Sequence, residues 1–258
     1  MYIMEIWHAV VLGVVEGITE FLPISSTGHL ILAEHFLGVG DTAFAKSFTI
    51  AIQLGAILAV IALYGKTLLR DRAVLTRIMT AFIPTALIGF ALYKTIKGFL
   101  GNETLVLWML ALGGVLMILF EKTHREERAA AHEIATVPYR VAFLIGCFQA
   151  LAVVPGVSRS AATIIGGLLL GVSRVAIVEF SFLLAIPTML AATGYDILKS
   201  GTLFAGADWG VLAAGFITAF VVALGAVKFL LAFIKQHTFI PFGIYRIILA
   251  VVLAFIII

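Results

Sequence analysis

Two polar turns interrupt a chain that is otherwise apolar enough to lie in a membrane. Glu16 to His29 reads EGITEFLPISSTGH, and Pro155 to Thr163 reads PGVSRSAAT. Carboxylates, a guanidinium and clustered hydroxyls at membrane depth are expensive, so by default they mark function. They also constrain the fold, because irregular backbone at that depth is tolerated only where it is buried in protein or lines a cavity. The rest of the chain reads as the scaffold that holds the two turns against each other.

Of the 258 residues, 62% are hydrophobic and only 12% charged. A soluble domain has about half its residues apolar and about a quarter charged, so this chain is an integral membrane protein. Its formal charge of +3 is explained by Lys and Arg retained beside spans to fix topology. No basic stripe with interleaved aromatics occurs, which excludes a nucleic-acid partner. Cys147 stands alone, belongs to no metal-ligand spacing and reads as a packing residue. The opening MYIMEIWHAVVLG lacks a positive n-region and a small-residue cleavage site, and is expected to be part of the mature fold.

Run lengths set the organisation. The apolar stretches flanking the first turn are too short to span a bilayer, which takes roughly 20 residues. Residues 6–37 are therefore expected to form a re-entrant helical hairpin with the Pro/Ser/Thr turn at its tip. Spans follow at 44–64, 75–93 and 105–120, and then a polar stretch that begins at Glu121 and gives a cytoplasmic loop over 122–138. The pattern then recurs, with a second hairpin at 141–170 and spans at 175–195, 211–233 and 241–258. A shift of 133 positions pairs Gly13 with Gly146, Glu16 with Gln149, Ser25 with Ser158 and Gly38 with Gly171. The expected fold is an all-α polytopic membrane protein with two repeats, 1–121 and 139–258, each a re-entrant hairpin plus three transmembrane helices. A hairpin crosses nothing and three spans cross an odd number of times, so the second repeat enters inverted. Lys66, Arg70, Arg72, Arg77, Lys122, Arg125, Arg128, Arg140, Arg174 and Lys235 fall on one side of this topology, and Lys94, Lys97 and Lys199 on the other. The positive-inside rule makes the first side cytoplasmic, so the first hairpin opens extracytoplasmically.

The turns carry the chemistry. Glu16 and Glu20 are four apart, on one face of a helix. Two carboxylates that close in low dielectric need a cation, a shared proton or an arginine. Ser25, Ser26 and Thr27 lie in the turn, with Gly28 expected to supply unusual backbone angles. Ser25 and Thr27 either cap a helix beginning near Gly28 or help its N-terminus hold a phosphate. His29 stands beside Ser26 as the base that a serine nucleophile needs, the alternative being a packed histidine. The Arg159 fork suits phosphate oxygens, or serves as counter-ion to Glu16 or Glu20. Ser158, Ser160 and Thr163 add hydroxyls, and Gly156 permits close backbone approach.

The pair EGITEFLPISSTGHL and PGVSRSAAT resembles the undecaprenyl-diphosphate phosphatase family, the bacitracin-resistance family, along essentially the whole chain. One position departs, Ala161, where many members carry glycine after S-R-S. The resemblance implies an enzyme that removes the terminal phosphate from a polyprenyl diphosphate and so recycles the lipid carrier of bacterial cell-wall synthesis. It implies Glu16 and Glu20 as catalytic or metal-associated carboxylates, Ser26 as nucleophile, His29 as its partner and Arg159 as diphosphate clamp. Ser25, Thr27, Gly156, Ser158, Ser160 and Thr163 would line the substrate site. The cofactor it implies is a divalent cation, Mg²⁺ or Ca²⁺, and the partners are the lipid substrate and membrane lipids, with a homodimer left open. The implied location is the bacterial inner membrane. Attack by water with a glutamate as base is the mechanistic variant, and a lipid flippase on the same inverted repeat is the rival function.

Overall fold

A computed structural model describes residues 4–39, 42–92, 98–99, 102–124, 131–200 and 208–257. Among them the chain is helical throughout, with no strand beyond an isolated parallel bridge between Ala131 and Val172. The helices are α1 (Ile6–Thr19), α2 (Ser26–Leu37), α3 (Ala43–Arg70), α4 (Arg72–Ala91), α5 (Glu103–Thr123), α6 (Tyr139–Ala150), α7 (Arg159–Leu169), α8 (Arg174–Ser200), α9 (Trp209–Ile234) and α10 (Ile240–Ile257). Five of them, α3, α4, α5, α8 and α9, are long and apolar enough to cross a membrane. The sixth expected span, α10, is apolar but falls just short of that length among the described residues.

The polar breaks between spans are helix caps. Asp71 ends α3 and starts α4, its carboxylate accepting the N–H groups of Ala73 at 2.9 Å and Val74 at 3.2 Å. Thr42, Asn102 and Asp208 accept first-turn N–H groups of α3, α5 and α9 in the same way. Gly38 ends α2 in the left-handed conformation, at φ 66°.

One boundary corrects the sequence reading. The polar stretch was expected to leave the membrane at Glu121, but α5 continues through Thr123 and Glu121 is buried. It forms a two-pronged ion pair with Arg174 at the start of α8 and accepts the N–H of Phe239 at 2.9 Å. A carboxylate satisfied this fully is stable without water. Both residues therefore tie three helices together instead of marking a solvated loop. Of the residues used to orient the chain, Lys94, Lys97, Arg125 and Arg128 and the side chain of Lys199 lie outside the described part.

Small residues let the helices close. Packing is most extensive between α1 and α9, α9 and α3, α5 and α10, and α4 and α6. A Cβ on Gly13 would sit 2.7 Å from the Gly215 carbonyl oxygen, and one on Gly17 2.8 Å from that of Ala219, so these two glycines four apart serve helix contact. The largest core cluster includes Phe21, Leu22 and Ile24 with Ile57, Ile164 and Phe182. The first turn thus lies inside the molecule.

Candidate active site

Glu16 and Glu20 share a face as their spacing requires, Glu16 in the last turn of α1 and Glu20 just past its end. The chain then reverses through Pro23 and opens α2 at Ser26. Ser25, the residue before α2, has φ 70° and ψ 99°. Ser158, the residue before α7, has φ 76° and ψ 115°. Among the described residues these two serines are the non-glycine positions with positive φ, a conformation costing roughly 1–3 kcal/mol each that persists only where surroundings enforce it. The unusual backbone expected at Gly28 therefore belongs to Ser25. Gly28 is helical, and its missing Cβ makes room for Leu110, which a methyl would meet at 2.8 Å.

The two turns meet at Glu20. Arg159 donates from Nη2 to Glu20 Oε1 at 2.9 Å, and Ser26 Oγ donates to Glu20 Oε2 at 2.8 Å. Ser160 Oγ donates to the Leu22 carbonyl at 2.8 Å, sewing the second turn to the first. Arg159 also donates from Nη1 to Ser181 O at 2.9 Å and sits over the Phe21 ring at 5.6 Å. Its counter-ion is thus Glu20. Its Nε remains buried without a partner among the described residues, and so do both oxygens of Glu16, which lies fully buried beside the Glu20 carboxyl. A guanidinium with a spare donor beside an unsatisfied carboxylate is a site with capacity left for a ligand.

His29 does not pair with Ser26. Its Nδ1 lies 2.8 Å from the Ser25 carbonyl oxygen and its Nε2 lies 2.7 Å from the Tyr245 hydroxyl. A carbonyl can only accept, so Nδ1 carries the proton. In the neutral ring Nε2 then accepts from Tyr245, whose ring stacks on the imidazole at 5.4 Å and 6°. The side chain that the Ser26 hydroxyl reaches is Glu20, not His29. Helical side chains lean back toward the N-terminus, which carries His29 to the carbonyl four residues earlier.

The remaining predicted residues divide. Thr27 is exposed, and Ser25 is buried but makes no side-chain cap to α2. The first-turn amides of α2 thus have no cap from Ser25. Ser158 does cap α7, accepting the Ala161 N–H at 3.3 Å, and lies 3.1 Å from Ser160 Oγ. Thr163 is fully buried, with Oγ1 at 2.9 Å from the Arg159 carbonyl and 3.2 Å from Gln149 Oε1, and so braces the helix that carries the arginine. Gly156, at φ 92°, lets the second turn approach Val106, whose carbonyl oxygen a Cβ would meet at 2.7 Å.

Among the described residues no cluster of three His, Cys, Asp or Glu side chains is placed to hold a metal unaided. The Glu16–Glu20 pair nevertheless fits a hard cation, because Glu16 has both oxygens open and Mg²⁺ is commonly held by one or two carboxylates plus substrate phosphate. Two residues of α10 were missed by the sequence reading, Tyr245 on His29 and the fully buried Arg246 beside it. The signal for Arg246 was available: an arginine within an apolar 18-residue helix is as costly as Arg159.

A family model described as bacitracin resistance protein BacA matches residues 9–252. The chain belongs to the BacA family. Members similar to it include proteins named undecaprenyl-diphosphatase from Aquifex aeolicus, 56% identical over 97% of this chain and 98% of the relative. Another, from Sulfurihydrogenibium sp., is 55% identical over 96% and 98%, and one from Thermus thermophilus is 51% identical over 96% of each chain. The BacA-family match takes in both turns and the Tyr245–Arg246 pair.

Proposed function

We propose that this chain is an integral membrane phosphatase that hydrolyses undecaprenyl diphosphate to undecaprenyl phosphate and inorganic phosphate. The activity recycles the lipid carrier of cell-wall synthesis and confers bacitracin resistance. The observation that carries the reading is the junction at Glu20, where a serine hydroxyl from one turn and a guanidinium from the other are held on one buried carboxylate. A translocator has no use for a hydroxyl held on a base.

In the proposed reaction, Arg159 and the open first turn of α2 bind the oxygens of the terminal phosphate. Ser26 Oγ attacks the terminal phosphorus while its proton passes to Glu20 Oε2. The bond from phosphorus to the bridging oxygen breaks, and undecaprenyl phosphate leaves. Water then attacks the phosphoserine, and the proton on Glu20 returns to the Ser26 oxygen as phosphate departs. Positioning and electrostatics supply most of the rate, as in other phosphoryl transfers. His29 holds the Ser25 carbonyl and so the strained start of α2. A divalent cation, Mg²⁺ or Ca²⁺, held by Glu16 and Glu20 would supply positive charge against the diphosphate.

The reading includes an inverted repeat, with 6–37 and 141–170 as re-entrant hairpins. Its support is positional: Ser25 and Ser158, and the left-handed Gly38 and Gly171, are each 133 residues apart. The exchanged packing of α1 on α9 and of α6 on α4 adds to it. The reading includes an inner-membrane location, which the family resemblance implies, and an extracytoplasmic opening, which the distribution of Lys and Arg supports.

The test is phosphate release from polyprenyl diphosphate by the purified protein, with Ser26→Ala and Arg159→Ala beside the parent. Parent activity should fall at least about 1,000-fold in each variant, a loss typical of removing a nucleophile or an anion clamp. A Ser26→Ala variant that keeps most of its activity would replace the serine with direct water attack, and a folded parent that releases no phosphate with Mg²⁺ would sink the enzyme reading.

A further inference from the structure

Arg246 is 0% exposed in the middle of α10. Its guanidinium has five N–H bonds, and the structure gives each of them a backbone carbonyl. Nε donates to Leu110 at 3.4 Å, and Nη2 donates to Met109 at 3.0 Å and Gly156 at 2.9 Å. Nη1 donates to Val157 at 3.0 Å and Pro23 at 3.5 Å. Pro23 belongs to the first turn, Gly156 and Val157 to the second, and Met109 and Leu110 to α5. One side chain thus spans the two catalytic turns and the helix behind them.

Two features separate Arg246 from Arg159. Arg246 has no donor left for a phosphate oxygen, whereas Arg159 keeps an unpartnered Nε. Arg246 also has a purpose-made space: a Cβ on Gly113 would lie 2.2 Å from its Nη2. Gly113 is the residue 133 positions before Arg246, so the matching position in the first half is vacated for the arginine of the second.

We infer that Arg246 is a positioning residue for phosphoryl transfer. It fixes the separation and tilt of the Ser26 and Arg159 turns by holding their carbonyls, and touches no substrate itself. The inference rests on the phosphatase reading and deepens it. A lysine here would keep the charge but offer three donors from a point, too few for the five carbonyls that the planar guanidinium holds.

The experiment measures kcat and KM for phosphate release per folded molecule, with folding judged by a monodisperse detergent peak and an unfolding transition. Arg246→Lys should lower kcat by on the order of 10- to 100-fold, the scale of a small misplacement of reacting groups, with KM within about threefold. Gly113→Ala, which crowds the same guanidinium, should lower kcat in the same direction. The double variant should fall no further than Arg246→Lys alone, because a lysine tip leaves that space free. Parent-like kcat in either folded single variant overturns the inference. So does a loss fully accounted for by unfolded protein, or failure of both variants to fold, since either makes the arginine a prop for the whole fold. Absence of activity in the parent would instead sink the phosphatase reading, so the two failures are distinguishable.

Discussion

Glu16 and Glu20 are chemically identical and four residues apart, yet their surroundings give them different work. Each Glu20 oxygen accepts one hydrogen bond, from Arg159 or from Ser26, while Glu16 is buried with both oxygens open. A bare carboxylate out of water is held only by a proton or a cation. We therefore expect Glu16→Gln to lower phosphate release by on the order of 100-fold and to abolish its response to added Mg²⁺, since the amide is a much weaker cation ligand. A titration of activity against Mg²⁺ after chelator treatment tests this. An unchanged Mg²⁺ response in the variant would remove Glu16 from any cation site. At this scale the sequence singled out residues that the two turns do bring together, but mispaired one of them. Ser26 and His29 looked like partners because they lie three apart, and spacing alone does not say that His29 leans back to Ser25 or that Glu20 turns toward Ser26. Tyr245 was invisible for another reason: its link to His29 spans 216 residues, and no local pattern encodes it.

At the scale of elements, apolar run length and turn chemistry located the short helices and the five helices long enough to cross a membrane, since both depend on a residue's own neighbours. What the expected bounds 105–120 and 175–195 leave outside are Glu121 and Arg174, which satisfy each other inside the protein. Glycines set the closest helix contacts, and among the described residues Gly146 is the tightest case. A Cβ there would lie 1.9 Å from the Ala81 carbonyl oxygen, while the Thr85 hydroxyl donates to the Gly146 carbonyl at 2.9 Å. Gly146→Ala should force α6 away from α4 and cost about 1–3 kcal/mol, despite alanine's better helix propensity. Gly89→Ala, where nothing lies within 4 Å, serves as the matched control. Thermal unfolding in detergent reads the difference, and equal midpoints for the two variants would refute the close-packing account.

For the whole molecule, the question is how two halves of like order come to face each other. The strained serines before α2 and α7, one on each side of the Glu20–Arg159 junction, are what two copies of a helix–turn–helix unit would present across a two-fold axis in the membrane plane. Such an axis requires the halves to enter the bilayer from opposite sides. On the proposed topology the ends of the long helices are assigned in advance: Lys66 near the end of α3 and Lys235 at the end of α9 would lie on the cytoplasmic side, and Glu103 at the start of α5 would lie outside. All three are exposed and suit single cysteines in a Cys147→Ala background. In intact spheroplasts a membrane-impermeant maleimide should label Glu103→Cys, and should reach Lys66→Cys and Lys235→Cys only after permeabilisation. Labelling of Lys66 and Lys235 from opposite sides would mean that the number of crossings between them is odd. That parity is incompatible with three spans in each half and two hairpins that cross nothing.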